Sequence, residues 1–274
     1  MLVSVYMPTH NRSEQLLKAV DSVLFQTYSN LELIVVNDGS SDNTATILES
    51  IVERDKRVRV YHHEKPLGAC AARNTAIKYA KGELITGIDD DDEFIHNRIE
   101  LLVANLKNYS FVCSGYYWQM PNKTKRLFCS DGVVTLSDML DINSASNQVL
   151  TKTEYLRAIG GFDENLPSFQ DYDCWVRLLN MFGDGYRINT PTYIVKADHD
   201  SYRISSDKNK KRLGFTLFYN KHKHLMSNRN IANQEFRKKV TSGERVSIYY
   251  LLMSIRFGLI NYKLRSYLSQ IKPS

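Results

Sequence analysis

The chain has 274 residues, of which 43% are hydrophobic and 24% are charged. This balance is typical of a folded globular protein and excludes a disordered or fibrous chain. The sequence shows no secretory signal and no uncharged apolar run of the ~18 residues that a membrane-spanning helix needs, so we expect a cytoplasmic protein. Its four cysteines have no C-x-x-C spacing, which argues against a zinc knuckle or a disulfide framework.

The charge is unevenly distributed along the chain. Residues 203–274 contain 16 lysines and arginines and 3 acids, whereas residues 1–202 contain 20 and 27. A basic tail on an acidic body is typical of proteins with a phosphate-rich partner, such as a nucleotide, a nucleic acid or an anionic membrane. The alternative is a solvated helical hairpin that only keeps the protein in solution.

The first hundred residues alternate strand and helix patterns. Short apolar runs at 2–7, 31–36, 58–61 and 84–88 predict buried strands. Helical spacing predicts helices around 16–23 and 47–52 and across 69–80, with Asn11 or Ser13 capping the first and Asp42 the second. Repeated strand–helix units predict an α/β fold with a doubly wound, mostly parallel sheet, whose ligands bind beyond the carboxyl ends of the strands.

The pattern becomes less regular after residue 108. Runs at 111–118, 147–151 and 192–196 predict further strands, and 153–159 and 170–182 predict helices. The polar stretch 200–212 is typical of a mobile loop, and the rest of the chain predicts helices. The C-terminal region is therefore expected to be a helical addition to the α/β body.

A run of five acids, from Asp89 to Glu93, follows the fourth predicted strand. Adjacent carboxylates repel each other, so such a run is costly unless a cation or a set of amides neutralises it. Mg²⁺ and Mn²⁺ prefer oxygen ligands and also bind phosphate oxygens. The run predicts a metal–diphosphate site at the ligand edge of the sheet; the alternative is a solvated acidic turn.

Several segments at this edge together resemble the successive signatures of family 2 glycosyltransferases. The segments are residues 7–12, 35–42, 68–74 and 88–92, and the resemblance extends over roughly residues 1–205. The resemblance implies a GT-A fold, with a Rossmann-like, doubly wound and mostly parallel sheet, and an inverting enzyme that uses a nucleotide sugar. It also implies a glycosyltransferase domain at 1–205, with a nucleotide-binding half (1–108) and an acceptor-side half (109–205), before a basic tail at 206–274.

The same resemblance implies roles for individual residues. Asp38 would face uracil, and Asp89 would face the ribose. Asp91 would be the direct ligand of Mn²⁺ or Mg²⁺, and His199 would complete the metal or diphosphate contacts, unless it is an ordinary surface or core histidine. The residues expected to contact the nucleotide sugar are Pro8, Thr9, Arg12, Asp38, Arg73, Asn74, Asp89 and Asp90.

Residues 161–164 and 170–178 resemble the acceptor-side segment of the family, in which an acid at the start of a helix is the general base. Asp171 occupies that position, where the helix dipole also stabilises a carboxylate. The alternative is that Asp171 caps the helix. Asn37 and Gln170 stand where the family commonly has acids, and Pro66 stands where it often has asparagine.

The implied reaction is transfer of a sugar from a UDP-sugar to a hydroxyl of a glycan or a lipid-linked oligosaccharide, in bacterial surface polysaccharide synthesis. The basic tail would hold the protein on the inner face of the cytoplasmic membrane. We do not expect a nucleic acid partner, because the acidic body would repel the phosphate backbone.

Alternatives from other classes follow from the same residues. A catalytically inactive nucleotide-sugar-binding protein would need the same cleft. A nucleotidyltransferase would need a glycine-rich phosphate loop after Met7, and a dinucleotide-dependent oxidoreductase would need G-x-G-x-x-G there. The segment from Pro8 to Arg12 contains no glycine.

Overall fold

The computed structural model describes residues 1–145, 148–197 and 207–271. The strands are β1 (Val3–Thr9), β2 (Leu31–Asp38), β3 (Val58–His63), β4 (Leu84–Gly87), β5 (Glu93–Phe94), β6 (Phe111–Met120), β7 (Lys123–Leu127), β8 (Gly132–Val134), β9 (Leu150–Lys152) and β10 (Gly185–Lys196). The helices are α1 (Leu16–Leu24), α2 (Thr44–Arg54), α3 (Ala69–Tyr79), α4 (Arg98–Leu106), α5 (Leu136–Asp141), α6 (Thr153–Ala158), α7 (Gln170–Phe182), α8 (Lys208–His222), α9 (Asn228–Ser242), α10 (Ile248–Ile255) and α11 (Ile260–Ile271).

All these strands join one mixed sheet in the order β3-β2-β1-β4-β9-β6-β10-β5, with β7 beside β6 and β8 beside β10. The first four strands pair in parallel, as the sequence predicts. In the second half β9 runs antiparallel to β4 and β6, whereas β10 runs parallel to β6. This confirms the predicted α/β class and adds an antiparallel component that the sequence pattern did not specify.

Side chains of β1 alternate between two helical layers. Val3, Val5 and Met7 pack with α1, α2 and α4, whereas Tyr6 packs with α3, α6 and α7. Every residue of β1 and β2 is buried. Such strands appear in the sequence as near-continuous apolar runs, interrupted here by Ser4 and Glu32, because both of their faces are covered.

The prediction that Asn11 or Ser13 caps α1 is wrong. The N-cap position is Gln15, without a side-chain capping bond. Asn11 instead accepts the backbone N–H of Ser41 at 2.8 Å, and Ser13 donates its N–H to Asp42 at 3.2 Å. These polar groups join the loop after β1 to the loop after β2, and both loops are thereby fixed at the carboxyl edge of the sheet.

Helix α8 packs directly on the body. The prediction of a loop is wrong for residues 208–212, because Asp207 accepts the N–H groups of Asn209 and Lys210 and so caps a helix there. Residues 200–206 lie outside the described part of the chain. The Phe218 ring of α8 stacks on Tyr172 of α7, with the ring centroids 4.1 Å apart.

A buried ion-pair cluster also joins α7 to α8. Asp173 is fully buried and lies 2.7 Å from Arg177, 2.8 Å from Lys221 and 2.8 Å from His222. Burial alone would raise the pKa of Asp173, but the hydrogen bond from His222 and the two cations outweigh burial and lower the pKa to about 2. The ionised carboxylate therefore binds the tail to the body, and the boundary predicted at 205/206 stays a prediction.

Helices α9, α10 and α11 follow α8. Asn230 and Asn233 of α9 donate to the buried Asp141 of α5 at 2.7 and 2.8 Å. Within the described ranges, no helix has the length and apolar character that crossing a membrane requires.

Candidate active site

A cleft of about 980 Å³ lies at the carboxyl ends of β1, β2 and β4. Residues of β6, β10, α7 and α8 also line it. Of the predicted site residues, nine line this cleft: Pro8, Thr9, Arg12, Asp38, Arg73, Asp89, Asp90, Asp91 and Asp171. Asn74 does not line it, and His199 lies outside the described residues.

Asp38, at the end of β2, organises the loop before α3. Its carboxylate accepts the N–H groups of Leu67 and Gly68, both at 2.8 Å, and contacts His63 Nδ1 at 2.7 Å. Burial alone would raise the pKa of Asp38, but these three contacts lower it. The neighbouring Gly39 has φ of 64°, and a Cβ there would lie 2.6 Å from the backbone of Lys65 and Pro66. The part of the cleft around Asp38 therefore has a closely packed, fixed backbone.

The acids after β4 have different environments. Asp92 is buried and accepts the N–H of Lys196 at 3.0 Å, so it supports β10. Asp90 and Asp91 each lie 3.9 Å from the Arg12 guanidinium. Burial raises the pKa of Asp90 to about 7, with a further contribution from the charge of Asp91. The structure thus concentrates partly desolvated carboxylates along one edge of the cleft.

One buried guanidinium connects these acids to α7. Arg73 Nη2 donates to Asp89 Oδ1 at 2.9 Å, and Arg73 Nη1 lies 3.6 Å from Asp171 Oδ1. The Arg73 Cζ atom also lies 5.2 Å from the centre of the Phe162 ring, a cation–π contact. The same cation therefore fixes the first acid of the cluster and the candidate base.

Asp171 is the second residue of α7, whose N-cap position is Phe169, so Asp171 does not cap the helix. Its Oδ1 is buried and accepts no hydrogen bond from the described residues. Burial raises the pKa of Asp171 to about 7, although the nearby Arg73 cation opposes that rise. A carboxyl group with a pKa near neutrality can both take up and release a proton at neutral pH.

Asn74 has a different setting from the one expected for a nucleotide ligand. Its Oδ1 accepts the N–H of Phe162 at 2.8 Å, and its Nδ2 donates to the Phe162 carbonyl at 2.9 Å and to Glu164 at 2.8 Å. Both amide atoms are thus occupied in joining α3 to the segment before α7. The nucleotide role stays a prediction, and these contacts favour a positioning role.

Sequence reasoning missed several other side chains that the later part of the chain contributes to the cleft. Tyr116 and Trp118 of β6 line the cleft, and Lys211 of α8 adds a cation. Residues two apart on a strand share a face, so the spacing of the two aromatic residues could have indicated a common surface. Nothing in the local sequence distinguishes Lys211 from its lysine neighbours.

Comparison with known proteins identifies the family. The family model described as glycosyl transferase family 2 matches residues 4–143. The chain is also 32% identical over 277 residues to WcaA of Escherichia coli K12, whose name provisionally assigns it to colanic acid biosynthesis as a glycosyl transferase. This match covers 94% of this chain and 95% of WcaA. The chain belongs to glycosyl transferase family 2. The predicted family is thereby confirmed, and the protein is a glycosyltransferase.

Two further similarities extend this result. The chain is 33% identical over 181 residues to WfgD of Escherichia coli, a UDP-Glc:α-D-GlcNAc-diphosphoundecaprenol β-1,3-glucosyltransferase; the match covers 65% of this chain and 70% of WfgD. The solved structure of Staphylococcus aureus TarS 1–349 in complex with UDP has a TM-score of 0.68 and 18% identity, covering 98% of this chain and 89% of TarS 1–349. This structural match confirms the GT-A fold.

Proposed function

We propose that this glycosyltransferase moves a sugar from a UDP-sugar to a hydroxyl of a glycan or lipid-linked oligosaccharide, in the cytoplasm of a bacterium that assembles surface polysaccharide. The names of WfgD and WcaA support the donor, the lipid-linked acceptor and the polysaccharide process. The presence of UDP in the TarS complex is consistent with the donor.

The observation that carries this proposal is the pairing of Arg73 with both Asp89 and Asp171. It fixes a carboxylate of the donor side and a candidate base of the acceptor side on one cation. Because the residues are held by the sheet edge and by α7, their geometry is present before substrate binds. Preorganised groups of this kind lower the barrier without reorganisation during the reaction.

In the proposed reaction Asp171 accepts the proton of the acceptor hydroxyl while that oxygen attacks the anomeric carbon. The bond from the anomeric carbon to the diphosphate breaks in the same step, and UDP leaves with the electron pair. A single displacement inverts the configuration, so an α-linked donor gives a β-linked product. Arg73 keeps the carboxylate in place and stabilises its ionised form before the proton arrives.

The composition of the cleft lining fits a divalent cation. Six aspartates line it, against three lysines and arginines, so an anionic diphosphate would meet an excess of negative charge. Carboxylate oxygens are the ligands that Mg²⁺ and Mn²⁺ prefer. Within residues 1–145, 148–197 and 207–271, no three acidic, cysteine or histidine side chains form a ligand set by themselves. We infer that Asp91 would hold the ion together with diphosphate oxygens, where the ion would offset the charge of the leaving group.

The test measures binding and turnover separately. Calorimetry with UDP should show binding that requires Mn²⁺ or Mg²⁺, and Asp91→Asn should weaken that binding by about tenfold or more, because one metal ligand is lost. Asp171→Asn should keep the UDP affinity of the wild-type protein. With UDP-sugars and a diphosphoundecaprenol-linked acceptor, the same variant should release no UDP above background.

Glu49→Gln is the matched control, because Glu49 is an exposed acid on α2 outside the cleft lining. It should change neither UDP binding nor turnover. UDP binding that ignores both divalent ions and Asp91→Asn would contradict the metal assignment. Turnover by Asp171→Asn at the wild-type rate would contradict the assignment of Asp171 as the base. If neither the wild type nor any variant released UDP, the result would favour an inactive sugar-nucleotide binder.

A further inference from the structure

The last two helices, α10 and α11, expose many apolar side chains. Among the described residues, 16 large hydrophobic side chains are exposed, and 7 of them lie between residues 248 and 268. We call these seven the outer face: Ile248, Tyr249, Leu252, Met253, Ile260, Leu264 and Leu268. This concentration distinguishes the outer face from single exposed hydrophobic residues, which are common on protein surfaces.

The spacing of the outer face is helical. On α11 its residues are four apart, at 260, 264 and 268, and on α10 they form the pairs 248/252 and 249/253. Residues four apart lie on the same side of a helix. Each helix therefore carries one apolar stripe on its solvent side.

The opposite side of the two helices is partly polar. Lys263 of α11 is fully buried, and its Nζ donates to Asn233 Oδ1 and to the Ser254 carbonyl, both at 2.6 Å. Gln270 Oε1 accepts the N–H of Val246 at 2.9 Å. These contacts fix the rotation of α11 with a lysine inside and leucines outside. A helix that faces only water normally has the reverse arrangement.

The charge around the outer face indicates which kind of surface binds there. Arg256 follows the stripe of α10, Arg265 is the neighbour of Leu264, and both arginines are exposed. Residues 203–274 carry 16 lysines and arginines against 3 acids. A second copy of this chain would bring two such basic regions together, which is unfavourable. An anionic lipid surface would instead attract the basic side chains and accept the apolar ones.

We propose that the outer face of α10 and α11 docks on an anionic lipid bilayer, with both helices lying in the interface. Leucine, isoleucine and methionine side chains enter the boundary between head groups and acyl chains, and Tyr249 remains near the head groups. Arg256 and Arg265 pair with lipid phosphates. This inference does not depend on the proposed transfer reaction, since it concerns a surface that contains none of the cleft residues.

Flotation of the full-length protein with vesicles tests the proposal. The vesicles are phosphatidylcholine alone, or phosphatidylcholine with about one third phosphatidylglycerol, which supplies the negative surface charge. The wild-type protein should float with the anionic vesicles at low salt. The triple variant Ile260→Ser, Leu264→Ser, Leu268→Ser should bind these vesicles at least about tenfold more weakly, because it lacks three apolar side chains that would enter the bilayer.

The matched control removes three exposed hydrophobic residues elsewhere, with Phe25→Ser, Val133→Ser and Met181→Ser, and should float like the wild type. Leu252→Ser with Met253→Ser tests α10 separately and replaces the first variant if that variant unfolds. Equal flotation of wild type and both outer-face variants would overturn the proposal. So would wild-type protein that never floats, or that forms a dimer which the outer-face variants abolish.

Discussion

Asp171 should make the folded protein less stable as the pH rises. Its pKa is about 7 in the folded protein and 3.8 in an ordinary solvated aspartate. An acid with a raised folded pKa binds more protons in the folded than in the unfolded state between those values, so deprotonation favours unfolding there. The side chain is 25% exposed, so solvent screening is limited. Between about pH 5 and pH 8 the shift corresponds to about 2 to 3 kcal/mol of lost stability.

The substitution Asp171→Asn keeps the side-chain shape and removes the titration. The free energy of unfolding of the variant, relative to wild type, should therefore rise by about 2 to 3 kcal/mol from pH 5 to pH 8. Urea unfolding followed by circular dichroism, without nucleotide or metal, measures this difference. The attraction between Arg73 and Asp171 exists only where Asp171 is ionised, so it is already part of the pKa of about 7 and needs no separate correction.

Asp55→Asn provides the control. A hydrogen bond from Arg57 lowers the pKa of Asp55, so the group is ionised in both states above about pH 5. Its stability difference from wild type should be the same at both pH values. If the stability difference of Asp171→Asn were also the same at both pH values, Asp171 would be ionised throughout the interval. That result would refute the inference that desolvation makes Asp171 a stronger base.

Three other predictions concern the join between body and tail. Asp173→Ala should lower the free energy of unfolding by about 3 to 5 kcal/mol in urea, because Arg177 and the buried His222 lose the carboxylate to which they bond; a loss below about 1 kcal/mol would contradict this. Lys211→Ala should weaken UDP binding about tenfold in low-salt calorimetry, and Lys208→Ala, outside the cleft lining, should not. Truncation after residue 205 should abolish cooperative thermal unfolding in calorimetry, because Tyr172 loses the stacked ring of Phe218; a sharp transition would show an independent body.

The sequence was most informative where structure depends on local pattern. Strands β1 and β2 are buried on both faces, so their sequences are mainly apolar, with only Ser4 and Glu32 interrupting the runs at 2–7 and 31–36. The acids after β4 and the residues after β1 converge because parallel strands end at the same edge. Nine predicted residues therefore line one cleft, although their roles stay predictions.

The remaining features depend on contacts between distant parts of the chain. Asn74 follows Arg73 directly, but Arg73 lines the cleft whereas the amide of Asn74 bonds to Phe162. No local sequence pattern distinguishes these two settings. Lys211 reaches the cleft because α8 packs on α7 and on the segment before it, where the Ser168 hydroxyl donates to the Lys210 carbonyl. Asn11 was expected to cap a helix but bonds to a loop 30 residues away. Such pairings are decided by tertiary packing, which overrides local preference.

The connection between the tail and the body determines what a membrane contact would do to the cleft. Asn233 of α9 donates to Asp141 of the body at 2.8 Å and accepts from Lys263 of α11 at 2.6 Å. The outer helices are thus joined to the catalytic body by a buried polar chain rather than by a flexible linker. A bilayer bound at α10 and α11 would therefore restrict the orientation of the cleft as well as its distance from the lipid. The proposed lipid-linked acceptor would be confined to that same surface, so a restricted orientation would reduce the entropy lost when its hydroxyl meets the proposed base Asp171.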